Sequence, residues 1–196
     1  MKQCGNVTPK RNQRFLTGQA TNRGFTLIEL LVVISIIVIL TGIVLVSYRA
    51  GEQQLALQRA ANKLAQDIRR VQEMAMSAKE SQKIFPPGVP LGGYGIHLTR
   101  GENQYIIYSD GGNEKWGGAG DFIEENIGLE KGVFIKNIEP PAASFSINFK
   151  PPDPIIRIVD AAGVDKDNVA IILALEADSN KIKKIRVNKA GRIEID

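Results

Sequence analysis

The chain has 196 residues, of which 43% are hydrophobic and 23% are charged. This length and composition fit one folded domain with a core plus a further segment, and they exclude an intrinsically disordered chain. The net charge of +4 is misleading, because residues 1–24 hold five basic side chains and no acid. The charge alone is therefore no argument for nucleic acid binding. A single cysteine, Cys4, excludes an intramolecular disulfide, and we interpret it as a thiol without a role.

An apolar segment follows the basic N-terminus. From Leu30 to Tyr48, 19 residues carry no charge, which is close to the ~20 that a helix needs to cross a bilayer. A cleaved secretory signal is disfavoured, because the run is too long and no small-residue cleavage site follows it. A single-span anchor with its basic flank in the cytoplasm remains an alternative, but it leaves Glu29 unexplained. A carboxylate buried among other helices needs a cationic partner, and cleavage between Gly24 and Phe25 would create one, a new amino terminus.

The residues around this position, RGFTLIELLVVISIIVIL from Arg23 to Leu40, resemble the N-terminus of type IV pilins and type II secretion pseudopilins. The resemblance implies that a prepilin peptidase in the membrane cuts after Gly24 and methylates Phe25. It also implies that Glu29 neutralises the terminal amine of a neighbouring subunit in a fibre, and so helps to set the register between subunits. Two features depart from the family: the basic leader of 24 residues is longer than usual, and no proline follows late in the apolar run.

A helical pattern continues beyond the apolar segment. Apolar residues recur at spacings of three and four, and no proline interrupts residues 25–85. We predict a single helix over about residues 25–79, ~80 Å long at ~1.5 Å per residue, with its first half in the membrane and its second half packed on a sheet. A coiled coil is the alternative for the second half. The predicted stripe consists of Leu57, Ala61, Leu64, Ile68, Val71, Ala75 and Ala78.

The period changes to two after FPPGVP at residues 85–90, whose prolines end the helical pattern. Short alternating segments separated by Gly, Pro, Asn and Asp predict a series of strands. Strands that follow one long helix indicate an α+β fold, here a long N-terminal helix on a mostly antiparallel sheet.

The order of these elements also resembles that of the H-type minor pseudopilins, on the segments LAQDIRRVQEMAMSAKES, GGYGIHL and IRVNKAGRIEI. The predicted organisation is a leader at residues 1–24, a transmembrane helix at 25–48, an amphipathic helix at 49–82, a Pro/Gly hinge at 83–92 and the sheet domain at 93–196.

Patterns typical of enzymes do not occur. The sequence contains no phosphate-loop motif and offers no histidine-based triad or paired carboxylates, so no enzymatic activity is predicted. The lone histidine, His97, alternates with Ile96 and Leu98 in a predicted strand. Without a second histidine, it suits a structural or surface position better than a zinc site.

One loop, YSDGGNEKWGGAGDFIEE at residues 108–125, combines five glycines with several carboxylates. Oxygen ligands on a glycine-rich loop suit calcium, and some related pseudopilins bind calcium in loops. Asp110, Asn113 and Asp121 are therefore the candidate ligands, although their spacing is not that of an EF-hand. The alternative is a solvated loop with Trp116 as a local plug or an exposed contact. No other cofactor is predicted.

The C-terminal segment is basic, and Lys183, Lys184, Arg186 and Arg192 are candidate contacts for DNA phosphates. Related minor pilins of DNA-uptake machines carry a G-R-x-R pattern in this region. The present chain reads GRIE, with Glu194 in place of the second arginine. The alternative is that alternating lysines protect a strand edge from aggregation.

The resemblance as a whole implies a structural subunit, minor rather than major, of a type IV pilus or a type II secretion pseudopilus. The implied partners are the prepilin peptidase, other pilin or pseudopilin subunits, the inner-membrane assembly platform and, before assembly, membrane lipids. The implied location is the bacterial inner membrane, in a single pass with the N-terminus cytoplasmic and the sheet domain outside, and then the fibre. A DNA-binding minor pilin for DNA uptake and a single-span surface protein that never polymerises remain the alternatives.

Overall fold

The computed structural model describes residues 24–84, 86–151 and 155–196. The basic leader with Cys4, Phe85 and residues 152–154 lie outside the described residues. Within the described ranges the chain forms one helix, α1 (Leu27–Met76), and nine strands. The strands are β1 (Gly93–Thr99), β2 (Gln104–Asp110), β3 (Phe122–Gly128), β4 (Val133–Glu139), β5 (Ser144–Lys150), β6 (Ile155–Asp160), β7 (Asn168–Leu175), β8 (Ile182–Asn188) and β9 (Ile193–Ile195). The chain divides into two units, Met1–Val44 and Leu45–Asp196.

Within the first unit, the described part of α1 is apolar on all sides after Glu29. Leu27–Val44 has a mean hydropathy of 3.0 and is, by length and composition, able to cross a membrane. Every side chain from residue 24 to residue 44 is exposed in the isolated chain. The hydroxyls of Ser35 and Thr41 donate to backbone carbonyls one turn earlier, at 2.8 and 2.7 Å, so neither hydroxyl needs water as a partner.

The part of α1 in the second unit is amphipathic, as the spacing predicts. Of the predicted stripe, the residues from Leu57 to Ala75 are at most 3% exposed. The inclusion of Ala78 is wrong, because this residue lies beyond the end of the helix and is exposed. The buried face is also wider than predicted, and additionally contains Ala60, Ala65 and Met74.

The helix ends at Met76, earlier than the predicted limits of residue 79 for the helix and residue 82 for the amphipathic segment. The amide of Lys79 donates to the carbonyl of Met74, and the amide of Ala78 donates to that of Ala75, each at 3.0 Å. This pair of bonds is a Schellman motif, which satisfies the last carbonyls of a helix by placing one residue in the left-handed region. Ala78 occupies that position with a φ of 46°. The spacing of apolar residues does not predict such a cap. Glycine is the usual residue in the left-handed position after a helix, and here that position is Ala78.

The strands form two antiparallel sheets, where the sequence predicted a single sheet domain. A five-stranded sheet has the order β3-β2-β1-β5-β6, and a four-stranded sheet has the order β4-β7-β8-β9. The two sheets meet where the β1–β2 turn bonds to β4, since Gly101 donates to the carbonyl of Ile135 at 2.8 Å and Ile135 donates to that of Glu102 at 2.9 Å. One hydrophobic core joins α1 to the inner faces of both sheets. The predicted α+β class, with a long N-terminal helix on antiparallel strands, is confirmed.

Strand β3 is the element that the sequence did not predict. Its residues FIEENIG are exposed or half-buried throughout, so the strand carries no alternation of buried and exposed positions. It forms an edge of the five-stranded sheet, and the ammonium group of Lys83 donates to the carbonyls of Ile123 and Glu124, each at 2.7 Å. A side chain thus occupies part of the open edge, a common protection against pairing with another chain.

Candidate processing and assembly site

The predicted cleavage position lies just before α1, in residues without regular secondary structure. Gly24 and Phe25 precede the helix, and the Phe25 side chain is 81% exposed. A Cβ atom placed on Gly24 would meet nothing within 4 Å. Nothing in the described structure therefore requires glycine at this position.

Thr26 caps the N-terminus of α1. Its Oγ1 accepts a hydrogen bond from the backbone amide of Glu29 at 3.2 Å, and its carbonyl accepts one from Leu30, also at 3.2 Å. A threonine followed three residues later by glutamate is the spacing of a capping box. The sequence carries this capping-box signal as T-L-I-E, from Thr26 to Glu29. The assembly role predicted for Glu29 does not make use of it. The segment that resembles a processing motif therefore also contains the N-terminal cap of α1.

Glu29 lies in the first turn of α1 and is exposed, within a unit whose other first-turn side chains are apolar. A carboxylate at this end of a helix is favoured by the helix dipole. The charge therefore has a stabilising role in the single chain, apart from any role between chains. The first turn also places Glu29 four residues after Phe25, the residue that cleavage after Gly24 would make the new amino terminus.

The glycine-rich loop is shorter than predicted, because Tyr108–Asp110 belong to β2 and Phe122–Glu125 to β3. Its two aspartates accept hydrogen bonds from within the loop and the sheet. Asp110 is 1% exposed and accepts from the amide of Gly112 at 2.5 Å and from Asn148 at 2.9 Å. Burial raises the pKa of Asp110. Asp121 accepts from the backbone amides of Gly111, Gly117 and Gly118, at 2.9, 2.9 and 2.6 Å.

The hydrogen bonds to Asp110 and Asp121 involve the carboxylate oxygens that would coordinate a metal ion. Within the described ranges, no group of three or more His, Cys, Asp or Glu side chains is arranged to hold a metal ion. Asn113 accepts a long bond of 3.4 Å from the amide of Lys115. Calcium binding by Asp110, Asn113 and Asp121 stays a prediction, and an ion would compete with the backbone amides that already donate to the two carboxylates.

His97 is half-buried on the outer face of β1. Its Nδ1 lies 3.0 Å from Oγ of Ser146, and its ring centroid lies 6.3 Å from that of Trp116. Burial lowers the pKa of His97 to about 4, so the imidazole is neutral at physiological pH. The position agrees with the structural placement that its alternation with Ile96 and Leu98 indicated.

The four basic residues at the C-terminus do not form one cluster. Ile185 and Val187 are buried, so alternation along β8 places Lys183 on their face and Lys184 and Arg186 on the opposite face. Lys184, Arg186 and Arg192 share a surface cavity of about 490 Å³. Each of these three forms an ion pair with a nearby acid, and the partners are Glu139, Asp196 (at 2.8 Å) and Glu194 respectively. DNA contact stays a prediction, and the paired acids reduce the excess positive charge on which it would depend.

Comparisons with known proteins bear on the N-terminal segment. Residues 20–45 match a family model described as the prokaryotic N-terminal methylation motif. A search of curated proteins finds no match. Among solved structures, the chain is similar to the type IV minor pilin FimU of Pseudomonas aeruginosa (strain PAO1), with 11% identity and a TM-score of 0.40, over 71% of this chain and 87% of that chain. At that identity and score the structural similarity carries no functional argument. The matched residues include Gly24, Phe25, Glu29 and most of the apolar segment Leu30–Tyr48.

Proposed function

We propose that this chain is a structural subunit, and a minor one, of a type IV pilus or a type II secretion pseudopilus. The single observation that carries the proposal is an N-terminal methylation motif that leads directly into a helix with no buried side chain in the candidate span Leu27–Val44. A helix that is apolar on all sides needs lipid or other apolar helices around it. A membrane satisfies that need before assembly, and neighbouring helices of the same kind satisfy it in a fibre core.

The proposal assigns a role to each residue of the motif. A prepilin peptidase cuts after Gly24 and methylates the new terminal residue, Phe25. The resulting amine carries a positive charge at the end of the helix where the dipole is also positive, so it is destabilised unless an anion lies close by. Glu29 of a neighbouring subunit supplies that anion, and the pairing offsets the cost of burying either charge alone.

The second unit supplies the part that faces outward. The basic leader stays on the cytoplasmic side, as positive residues flanking a membrane span usually do. The chain is then anchored in the bacterial inner membrane by one span, with the two-sheet unit outside. Interaction with other pilin or pseudopilin subunits and with the inner-membrane assembly platform follows from this role.

Mass spectrometry of the N-terminus tests the proposal directly. The full chain is expressed with a prepilin peptidase, purified from membranes and sequenced from its N-terminal peptide. We expect the protein to begin at Phe25 with one added methyl group. The variant Gly24→Val should keep the leader, because the structure leaves space for the new side chain and only recognition by the peptidase is changed.

Gly42→Val is the matched control, since a Cβ at Gly42 also meets nothing within 4 Å, and we expect its normal processing. A wild-type protein that still begins at Met1 in the presence of the peptidase would overturn the proposal in favour of a single-span surface protein.

A further inference from the structure

The glycine-rich loop, residues 111–121, holds Trp116 against the outer face of the five-stranded sheet. The backbone amide of Trp116 donates to Oγ of Ser146 at 3.2 Å, and its ring centroid lies 5.3 Å from that of Tyr108. The bonds from the loop amides to Asp121 fix the turn that follows the tryptophan. Trp116 itself remains half-buried. The loop therefore presents a fixed aromatic ring that is still open to solvent on part of its surface.

A cavity of about 250 Å³ opens beside this ring. Its walls are Trp116 and side chains of the β1–β2 hairpin, of which Glu102 and Gln104 are exposed. Thr99 and His97 add a hydroxyl and an imidazole to the same cavity. An aromatic side chain together with several hydrogen-bonding side chains is a common lining of a small-molecule site.

The charge of the cavity restricts the ligand. Among its described lining residues, Glu102 is the acidic side chain, while burial lowers the pKa of His97 to about 4 and keeps the imidazole uncharged. No cation from these residues faces the cavity to attract a phosphate or sulfate group. Anionic ligands, including nucleic acid, are therefore disfavoured at this position.

We infer that this cavity binds one ring of a neutral sugar, stacked against Trp116 and hydrogen-bonded to Glu102 and Gln104. A pyranose has a face of C–H groups that packs on an aromatic ring and a perimeter of hydroxyls. A carboxylate accepts from two hydroxyls at once, and an amide both donates and accepts, so these two side chains match adjacent hydroxyls. The volume lies below the ~300–1,000 Å³ of typical drug-sized sites, which fits a single ring of a longer chain that continues into solvent.

A purely structural role for Trp116 explains less. Its ring covers Tyr108, which is fully buried, and a cover of this kind accounts for the aromatic side chain. It does not account for the exposed carboxylate and amide that line the same cavity. The two interpretations differ in whether sugar binding depends on Glu102 and Gln104.

Fluorescence titration of the full chain in detergent micelles tests the inference, because Trp116 is the single tryptophan of the sequence and lines the cavity. The probes are chitotetraose, built of the N-acetylated sugar type found in cell walls, and cellotetraose, which carries hydroxyls only as many extracellular polysaccharides do. Binding of the first, the second or both distinguishes the two sources. We expect saturable binding with a dissociation constant on the order of 1 mM, as befits a shallow site.

Glu102→Ala and Gln104→Ala should each weaken binding by about tenfold or more. Glu130→Ala, a change of another exposed glutamate, is the matched control and should bind as the wild type does. Circular dichroism of each variant checks that the fold is unchanged.

The inference is overturned if neither sugar gives a saturable fluorescence change or calorimetric heat, if both alanine variants bind as tightly as the wild type, or if inorganic phosphate binds in place of the sugars. None of these outcomes depends on processing at Gly24, so the inference and the proposed function fail independently.

Discussion

The hydroxyl of Tyr105 donates a hydrogen bond of 2.5 Å to Oδ2 of Asp67, which joins the buried face of the helix to strand β2. Asp67 is 9% exposed and Tyr105 is 2% exposed. Burial and the neighbouring carboxylate raise the pKa of Tyr105, so the phenol stays protonated and remains the donor. Arg70 lies 3.8 Å from Asp67 and 2.5 Å from Glu125 on β3, which extends the link to the sheet edge.

Tyr105→Phe should destabilise the second unit by about 1.5–3 kcal/mol, the cost of removing a hydrogen bond from a charged group that stays buried. The measurement is urea denaturation of the full chain, followed through the fluorescence of Trp116. Tyr108→Phe is the matched control, because the Tyr108 hydroxyl is buried without a hydrogen-bond partner among the described residues. Its removal should cause no loss of stability and should stabilise the unit by up to about 1–3 kcal/mol, because a buried hydroxyl without a partner is itself unfavourable. Equal losses in the two variants would show that ring packing, rather than the hydrogen bond, explains the effect.

Neither Asp67 nor Tyr105 was singled out from the sequence, and the reason is general. Spacing along a helix identified the buried residues from Leu57 to Ala75 because burial recurs within one element. The bond between Asp67 and Tyr105 joins positions 38 residues apart, and no local pattern encodes that pairing. Strand β3 was missed for a related reason, since an edge strand with exposed faces has no alternation to detect.

The candidate site was more predictable than the fold around it. The order of residues from Gly24 to Glu29 is local, so the motif and its apolar helix are read directly from the sequence. The loop at residues 111–121 shows the opposite case. Its aspartates predict a metal site, which stays a prediction. The backbone amides that donate to their oxygens could not be predicted, because that arrangement depends on the turns of the chain.

Ala78→Gly should stabilise the second unit by about 1 kcal/mol, because glycine adopts the left-handed conformation of the helix cap without the strain that a Cβ introduces. The same denaturation assay measures the change. Ala56→Gly is the control within the helix, and it should destabilise by ~0.5–1 kcal/mol because glycine is unfavourable in a helix interior. A destabilising Ala78→Gly would indicate that the Schellman motif is not formed in solution.

Stability should fall as the pH is lowered, and His97 is one cause. Burial lowers the pKa of His97 to about 4 in the folded chain, whereas the histidine of an unfolded chain has its ordinary pKa of 6.5. Between these values the unfolded state binds the proton and the folded state does not, so the folded state loses stability as the pH falls below about 6.5. For this half-buried group we expect a loss of about 1–2 kcal/mol between about pH 7.5 and pH 5.

The variant His97→Gln isolates this contribution, since glutamine retains a hydrogen-bonding group for Ser146 but does not titrate. Urea midpoints at the two pH values give the difference for each protein. Between the two pH values, the variant should lose about 1–2 kcal/mol less stability than the wild type. The carboxylates contribute equally to the pH dependence of both proteins. Identical pH dependence in the two proteins would show that the imidazole is more accessible to solvent than its packing against Trp116 and Ser146 indicates.

Glu29 has two roles that a single substitution can separate. Its backbone amide bonds to Thr26 in the helix cap, and its charge is proposed to neutralise the amine of a neighbouring subunit. Glu29→Gln keeps a side chain that suits a capping box and removes the charge. Thr26→Ala keeps the charge and removes the cap, at a cost of ~1 kcal/mol in helix stability. If charge pairing drives assembly, Glu29→Gln should greatly reduce incorporation into fibres, and Thr26→Ala should reduce it little.

Incorporation is measured by shearing fibres from cells that express each variant and quantifying the subunit relative to the membrane fraction. Glu73→Gln, which changes an exposed glutamate in the second unit, is the charge-matched control and should assemble normally. N-terminal sequencing of each variant confirms that cleavage has occurred, so that a processing defect is not mistaken for an assembly defect. Normal assembly of Glu29→Gln together with a defect in Thr26→Ala would assign the motif's glutamate to helix capping, because only the cap would then limit incorporation.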